Sequence, residues 1–173
     1  MKHPFTPTAL LAERRWRLTL LAGALLSLIA GTASASQCGS IRDNDQRALC
    51  RAKSQGSTSQ CGFIRDNDTR AYCRATAGGS ASQCGFIRDN DLRSRCRAET
   101  SSGGSGSSQC GFIRDNDQRA LCRAKSQGSA SQCGFIRDND LRAYCRATAG
   151  GSASQCGFIR NSDLRSRCRA EAR

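Results

Sequence analysis

Twelve cysteines are the residues of this 173-residue chain with the most distinctive chemistry. They form six pairs: Cys38/Cys50, Cys61/Cys73, Cys84/Cys96, Cys110/Cys122, Cys133/Cys145 and Cys156/Cys168. Within each pair the step is always 12 residues, while between pairs it is 11, 11, 14, 11 and 11. Disulfides joining neighbouring pairs would close loops of unequal length, so the invariant internal step favours bonding within each pair. The thiolate alternative is a redox or metal-sequestering protein. No Cys-x-x-Cys occurs, and the only histidine is His3, so the chain lacks both the close cysteine spacing and the histidines of common zinc sites.

The second candidate chemistry is Asp66-Asn67-Asp68, which begins like a calcium loop. It lacks the following glycine and the distant bidentate glutamate, and Arg65 and Arg70 flank it. The sixth copy reads Asn161-Ser162-Asp163. Losing a carboxylate harms a cation site, whereas Asp, Asn and Ser are near-equivalent helix caps. Asp43, Asp66, Asp89, Asp115, Asp138 and Asn161 are therefore read as N-caps. No catalytic set emerges: serines cluster between the cysteine pairs, and arginine neighbours favour ionising both Asp89 and Asp91. The reading is non-enzymatic, with no metal ligand and no cofactor.

These residues sit in a repeat. CGFIRDNDLRSRCRAE, from Cys84 to Glu99, has five near-copies, and 36–99 matches 108–171 with five differences. A triplet of repeats has been duplicated as a block. The expected organisation is a leader at 1–35, three repeats at 36–99, a Gly/Ser linker at 100–107 and three repeats at 108–173. In the second copy, Gln60 to Arg65 suits one or two helical turns capped by Ser59. Asp66 then opens a second helix through Ala75, which sets Cys61 opposite Cys73. A unit of about 20 residues buries too little to hold itself without a cross-link. Closing so short a loop contributes roughly 3 kcal/mol in the chain-entropy account. Phe63, Ile64 and Tyr72 supply the small core. Phe63, Phe86, Phe112, Phe135 and Phe158 are expected to pack between repeats, with Ser40 as a polar end-cap in the first copy. The fold class is all-α: six tandem short helical hairpins, each with an internal disulfide, either stacked as a small α-solenoid or strung as beads on Gly/Ser connections.

The first 35 residues differ in kind. Arg14, Arg15 and Arg17 precede an apolar run from Leu18 to Ala30, and Ala33-Ser34-Ala35 supplies an A-x-A cleavage pattern. The run is shorter than the ~20 residues of a spanning helix. A cleaved signal peptide is expected, with secretion or a periplasmic location and no transmembrane segment afterwards. Arg14-Arg15 also leaves twin-arginine export open beside the general secretory route. Cysteine density in an exported chain agrees with a disulfide scaffold.

Without that leader, 23 basic and 13 acidic residues leave a net charge of +10, and all but Lys53 and Lys125 of the basic residues are arginine. Each repeat carries an i,i+4 arginine pair: Arg47/Arg51, Arg70/Arg74, Arg93/Arg97, Arg119/Arg123, Arg142/Arg146 and Arg165/Arg169. Part of this is ordinary helix-surface charge paired with aspartate. The remainder is read as an anion-binding stripe, because guanidinium suits phosphate and carboxylate and repetition multiplies weak contacts. The expected partner is an anionic surface or acidic protein: lipopolysaccharide, anionic lipid or acidic glycan. No motif for sequence-specific nucleic-acid recognition occurs. A structural spacer or scaffold is the further alternative.

Overall fold

The computed structural model describes residues 36–101 and 106–172, and the expected leader at 1–35 lies outside them. All six repeats belong to one compact unit, Ser34–Arg173. Each repeat is a short 3-10 turn, an extended corner and a longer α-helix. The 3-10 turns are Cys38–Ser40, Thr58–Phe63, Ala81–Phe86, Cys110–Phe112, Ala130–Phe135 and Ala153–Phe158. The long helices are α1 (Asn44–Gln55), α2 (Asn67–Thr76), α3 (Asn90–Thr100), α4 (Asn116–Gln127), α5 (Asn139–Gly150) and α6 (Ser162–Glu171). A single helical turn, Gly106–Gln109, leads into the fourth 3-10 turn. Among the described residues there is no strand.

Local chemistry explains each break. Asp43, Asp66, Asp89, Asp115, Asp138 and Asn161 have extended backbone and accept from the N–H three residues on, as at Asp66 Oδ1 with Thr69 N at 2.7 Å. α1 and α4 end at Gly56 and Gly128, whose φ of 59° and 60° is left-handed and favours glycine. The cap of the second 3-10 turn is Ser57, not Ser59: its hydroxyl accepts from the Ser59 N–H. The Gly/Ser segments thus perform helix-end chemistry, although their composition resembles a flexible linker.

Disulfides join Cys38–Cys50, Cys61–Cys73, Cys84–Cys96, Cys110–Cys122, Cys133–Cys145 and Cys156–Cys168. Each pins a 3-10 turn to its own helix with Cα atoms 5.6 to 5.7 Å apart. The cysteines, the isoleucine three residues after each first cysteine, the helix alanines, and Leu49, Tyr72, Leu121 and Tyr144 form the buried interior. The phenylalanines do not. Phe63, Phe86, Phe112, Phe135 and Phe158 are 70% to 73% exposed. At three residues per 3-10 turn, Cys61 and Ile64 share the inner side and Phe63 is turned away from it. The contact role expected of phenylalanine falls to Ile64 and its counterparts, all about 1% exposed.

The repeats stack, and the stack closes. The second aspartate of each repeat, in the first turn of its helix, reaches the extended corner of the next repeat, where two backbone N–H groups lie outside any helix. Asp45 accepts from Arg65 N and Asp66 N, both at 3.0 Å. Asp68 serves Arg88 N and Asp89 N, and Asp91 serves Arg114 N and Asp115 N. Asp117 serves Arg137 N and Asp138 N, and Asp140 serves Arg160 N and Asn161 N. Asp163 of the last repeat then accepts from Arg42 N of the first at 3.2 Å. α6 also packs on α1 and on the turn Cys38–Ser40, with Ala170 joining Cys38, Ile41 and Cys50 in one apolar cluster. The architecture is a six-repeat ring with adjacent long helices touching all the way round and the 3-10 turns lying against them. The first repeat therefore has a neighbour on both sides, and Ser40 is not an end-cap.

At the junction of the triplets, Gly106 is buried, and a Cβ there would stand 2.4 Å from the Ala98 carbonyl oxygen. Gly106→Ala should cost about 1–3 kcal/mol in chemical denaturation of the oxidised protein. Gly134→Ala, where a Cβ meets nothing within 4 Å, is the control. Full reduction and alkylation should abolish most of the helical far-UV circular dichroism, because no repeat is held without its cross-link.

Candidate functional site

Two places on the ring collect chemistry: its centre and its surface. The centre is built by positions that differ between repeats. One residue before and three residues after each second cysteine, the helix turns side chains inward. These positions read Leu49/Lys53 in α1, Tyr72/Thr76 in α2 and Arg95/Glu99 in α3, and they recur as Leu121/Lys125, Tyr144/Thr148 and Arg167/Glu171. Lys53 Nζ lies 3.0 Å from Glu99 Oε2, and Arg95 Nε lies 3.2 Å from Glu99 Oε1. Tyr72 donates its hydroxyl to Glu99 Oε2 at 2.7 Å, while Lys53 Nζ and Arg95 Cζ stand 5.4 and 5.2 Å from the centre of its ring. The second triplet repeats this. Lys125 and Arg167 hold Glu171 at 3.2 and 2.9 Å, and Tyr144 donates to it at 2.5 Å. A cavity of about 480 Å³ lies between the two clusters, lined by Lys53, Arg95 and Glu99 with Lys125 and Glu171.

The charges in this centre are locked. Burial acts to raise the Glu99 carboxyl, but Lys53, Lys125 and Arg95 together hold it well below the ordinary value of 4.5. Glu171 behaves alike under burial, Arg167 and Lys125. Burial opposes the charged form of Lys53 too, and Glu99 and Tyr72 overcome it, raising its pKa above the usual lysine value. Lys125 is raised in the same way against burial, by Tyr144 and Glu171. None of these groups exchanges a proton near neutral pH, so the cluster works as a two-part ionic plug joining the first, second and third repeats of each triplet. The two copies differ at the arginine, and Arg95 Nη1 donates to Gln118 Oε1 at 3.5 Å without a counterpart at Arg167 among the described residues. Arg95 Nη2 donates to Tyr72 Oη at 3.2 Å, whereas Arg167 Nη2 is buried with no hydrogen-bond partner among the described residues.

The surface carries arginine. The expected i,i+4 pairs do not form one stripe, because their members point to different work. Arg47, Arg70, Arg93, Arg119, Arg142 and Arg165 turn back on their own repeats. Each donates Nη1 to the carbonyl of the isoleucine six residues earlier, at 2.7 to 2.9 Å. The first five also donate to the asparagine three residues before them. The extended corner leaves that carbonyl without a helical partner, and a charge-assisted bond supplies one. The second members, Arg74, Arg97, Arg123, Arg146 and Arg169, are exposed, and Arg51 is half-buried. A further exposed set lies in the corners: Arg42, Arg65, Arg88, Arg114, Arg137 and Arg160. That set follows directly from Phe-Ile-Arg, in which the middle residue is buried and its neighbours face out.

Every acidic residue of the repeats has a hydrogen-bond or ion-pair partner in the same chain, although the capping aspartates themselves are exposed. Asp43, Asp66, Asp89, Asp115 and Asp138 cap helices, the second aspartates join repeats, and Glu99 and Glu171 hold the centre. Backbone donors from the next repeat hold the Asp45, Asp117 and Asp140 carboxyls below the usual carboxylate range. Among the described residues the four salt bridges are all central, and no exposed arginine takes part in one. No cysteine there is free, and no group of three or more His, Cys, Asp or Glu is placed to hold a metal. No described helix is long and apolar enough to cross a membrane.

No family model matches the chain, and neither a curated protein nor a solved structure matches it.

The central carboxylates generate a pH dependence of defined sign. Their folded pKa is depressed, so their contribution is complete above about pH 4.5 and is lost as pH falls toward the folded values. The thermal midpoint should fall steadily from about pH 5 toward pH 2. In Glu99→Gln/Glu171→Gln it should be lower at pH 7 and flatter with acid. A double variant with the parent's acid slope would show that the centre does not carry the effect.

Proposed function

We propose that this is a non-enzymatic, exported, disulfide-stapled ring that binds an anionic surface or an acidic partner through its outward arginines. The observation that carries the reading is the division of charge. Carboxylates are turned to caps, joints and the centre, while two arginines per repeat in most copies face solvent without a salt bridge. The rigid frame fixes the backbone station of each arginine, so side-chain freedom is what is lost on meeting phosphate, sulfate or carboxylate. Six stations allow many weak contacts to add.

Six disulfides require an oxidising compartment; secretion or a periplasmic location is the form of that requirement we favour, given the leader-like 1–35. The thiol-redox and metal-sequestering alternative draws no support from cysteines that are all bonded and at most 5% exposed.

Heparin, as a soluble polyanion, tests the reading. Binding should weaken progressively between low and high salt. Changing Arg74, Arg97, Arg123, Arg146 and Arg169 together to Gln should weaken it by roughly tenfold or more. The same change at Arg70 alone should instead lower the denaturation midpoint and leave heparin affinity near the parent value. Salt-independent binding, or no binding, removes the proposal.

A further inference from the structure

We infer that the anionic surface this ring meets is a phospholipid bilayer, entered by the phenylalanines that stand beside the corner arginines; the inference rests on the arginine reading above. Phe63, Phe86, Phe112, Phe135 and Phe158 are the only large apolar side chains strongly exposed among the described residues. An isolated exposed apolar residue needs no explanation. Five at the same structural station do, because the fold gains nothing from them: the station holds Ser40 in the first repeat and the same 3-10 turn forms.

Their surroundings fit an interface better than an apolar groove. Ile64 has extended backbone, with φ −78° and ψ 126°, and is buried, so Phe63 and Arg65 on either side of it both emerge toward solvent. The same Phe-Ile-Arg sequence recurs at Phe86, Phe112, Phe135 and Phe158. No arginine lies over any of these rings, since the cation–π contacts among the described residues belong to Tyr72 and Tyr144. Each ring is therefore free to enter an apolar phase while its arginine remains at the level of the phosphates. An apolar group with a cation beside it, on a surface of net positive charge, is the pattern of proteins that lie on anionic membranes without crossing them. A soluble acidic partner would use the arginines and leave the rings in water.

The test uses the oxidised protein with vesicles of phosphatidylcholine alone or mixed with phosphatidylglycerol, and with heparin in parallel. The parent should sediment with phosphatidylglycerol vesicles and not with phosphatidylcholine alone. Changing all five phenylalanines to Ser, the residue at position 40, should reduce vesicle binding about tenfold or more while leaving heparin binding intact. Circular dichroism and elution volume matching the parent establish that the variant folds. Independently, Phe63→Trp should give emission that shifts to the blue with phosphatidylglycerol vesicles and is quenched by brominated lipid. Vesicle binding that the Ser variant retains, equal binding to both lipids, or heparin binding with no vesicle binding each overturns this inference and leaves the arginine reading standing. Self-association of the parent that the Ser variant loses, without vesicle binding, assigns the rings to a second copy and also overturns it. Binding to neither heparin nor vesicles overturns both.

Discussion

Every feature of the ring depends on one covalent constraint, the bond that fastens each 3-10 turn to its own helix. A repeat buries two cysteines, one isoleucine and one to three alanines, joined in four of the six by a single leucine or tyrosine, Leu49, Tyr72, Leu121 or Tyr144. That is too little apolar surface to order some 23 residues against their conformational entropy. The cross-link removes most of the alternatives open to the unfolded loop, and the corner between turn and helix becomes a defined object. Only a defined corner can present two backbone N–H groups side by side to an aspartate of the preceding repeat. The inter-repeat joints, and through them the closed ring, follow from the sulfur bridges.

Closure changes what the repeats can do with their charges. An open stack leaves terminal repeats with unpaired joints, and a non-closing joint would propagate from molecule to molecule. Here the sixth aspartate finds the first corner of the same chain. The closing joint is also the lightest: Asp163 accepts from Arg42 N through Oδ2, while its Oδ1 takes the Ser162 hydroxyl at 3.3 Å. The ring also creates an interior that no single repeat possesses. Lys53, Tyr72 and Glu99 come from three different repeats and meet only because the chain curves. With the other acidic groups drawn into joints and centre, only the capping aspartates face solvent, and the arginines dominate the outward charge.

The Gly/Ser segments show why composition alone misleads in a small repeat. Gly56 and Gly128 supply left-handed helix ends, Ser57 and Ser80 cap the following 3-10 turns, and Gly106 admits the Ala98 backbone. With units this short, half the residues lie within one turn of a helix end, and helix ends are where glycine and serine belong.

Much of the fold was legible in the residues. The invariant step of 12 between cysteines implied the internal cross-link, and Asp or Asn at one station marked the helix start. The two-helix repeat followed from both. The centre could also have been found, since Lys53, Tyr72, Arg95 and Glu99 occupy positions that differ within a triplet yet return 72 residues later. What sequence could not decide were quantities set by distance. Cys61 and Ile64 share a side in α and 3-10 geometry alike, but that the repeats would stack without using the phenylalanines was not written in one repeat. Which arginine of each pair stayed free turned on a carbonyl six residues earlier. Closure turned on the rotation between successive repeats, accumulated over six joints until Asp163 reached Arg42. Local preferences act within a turn of chain and write themselves into nearby residues, whereas that rotation is a sum over the whole molecule, and only the tertiary structure performs it.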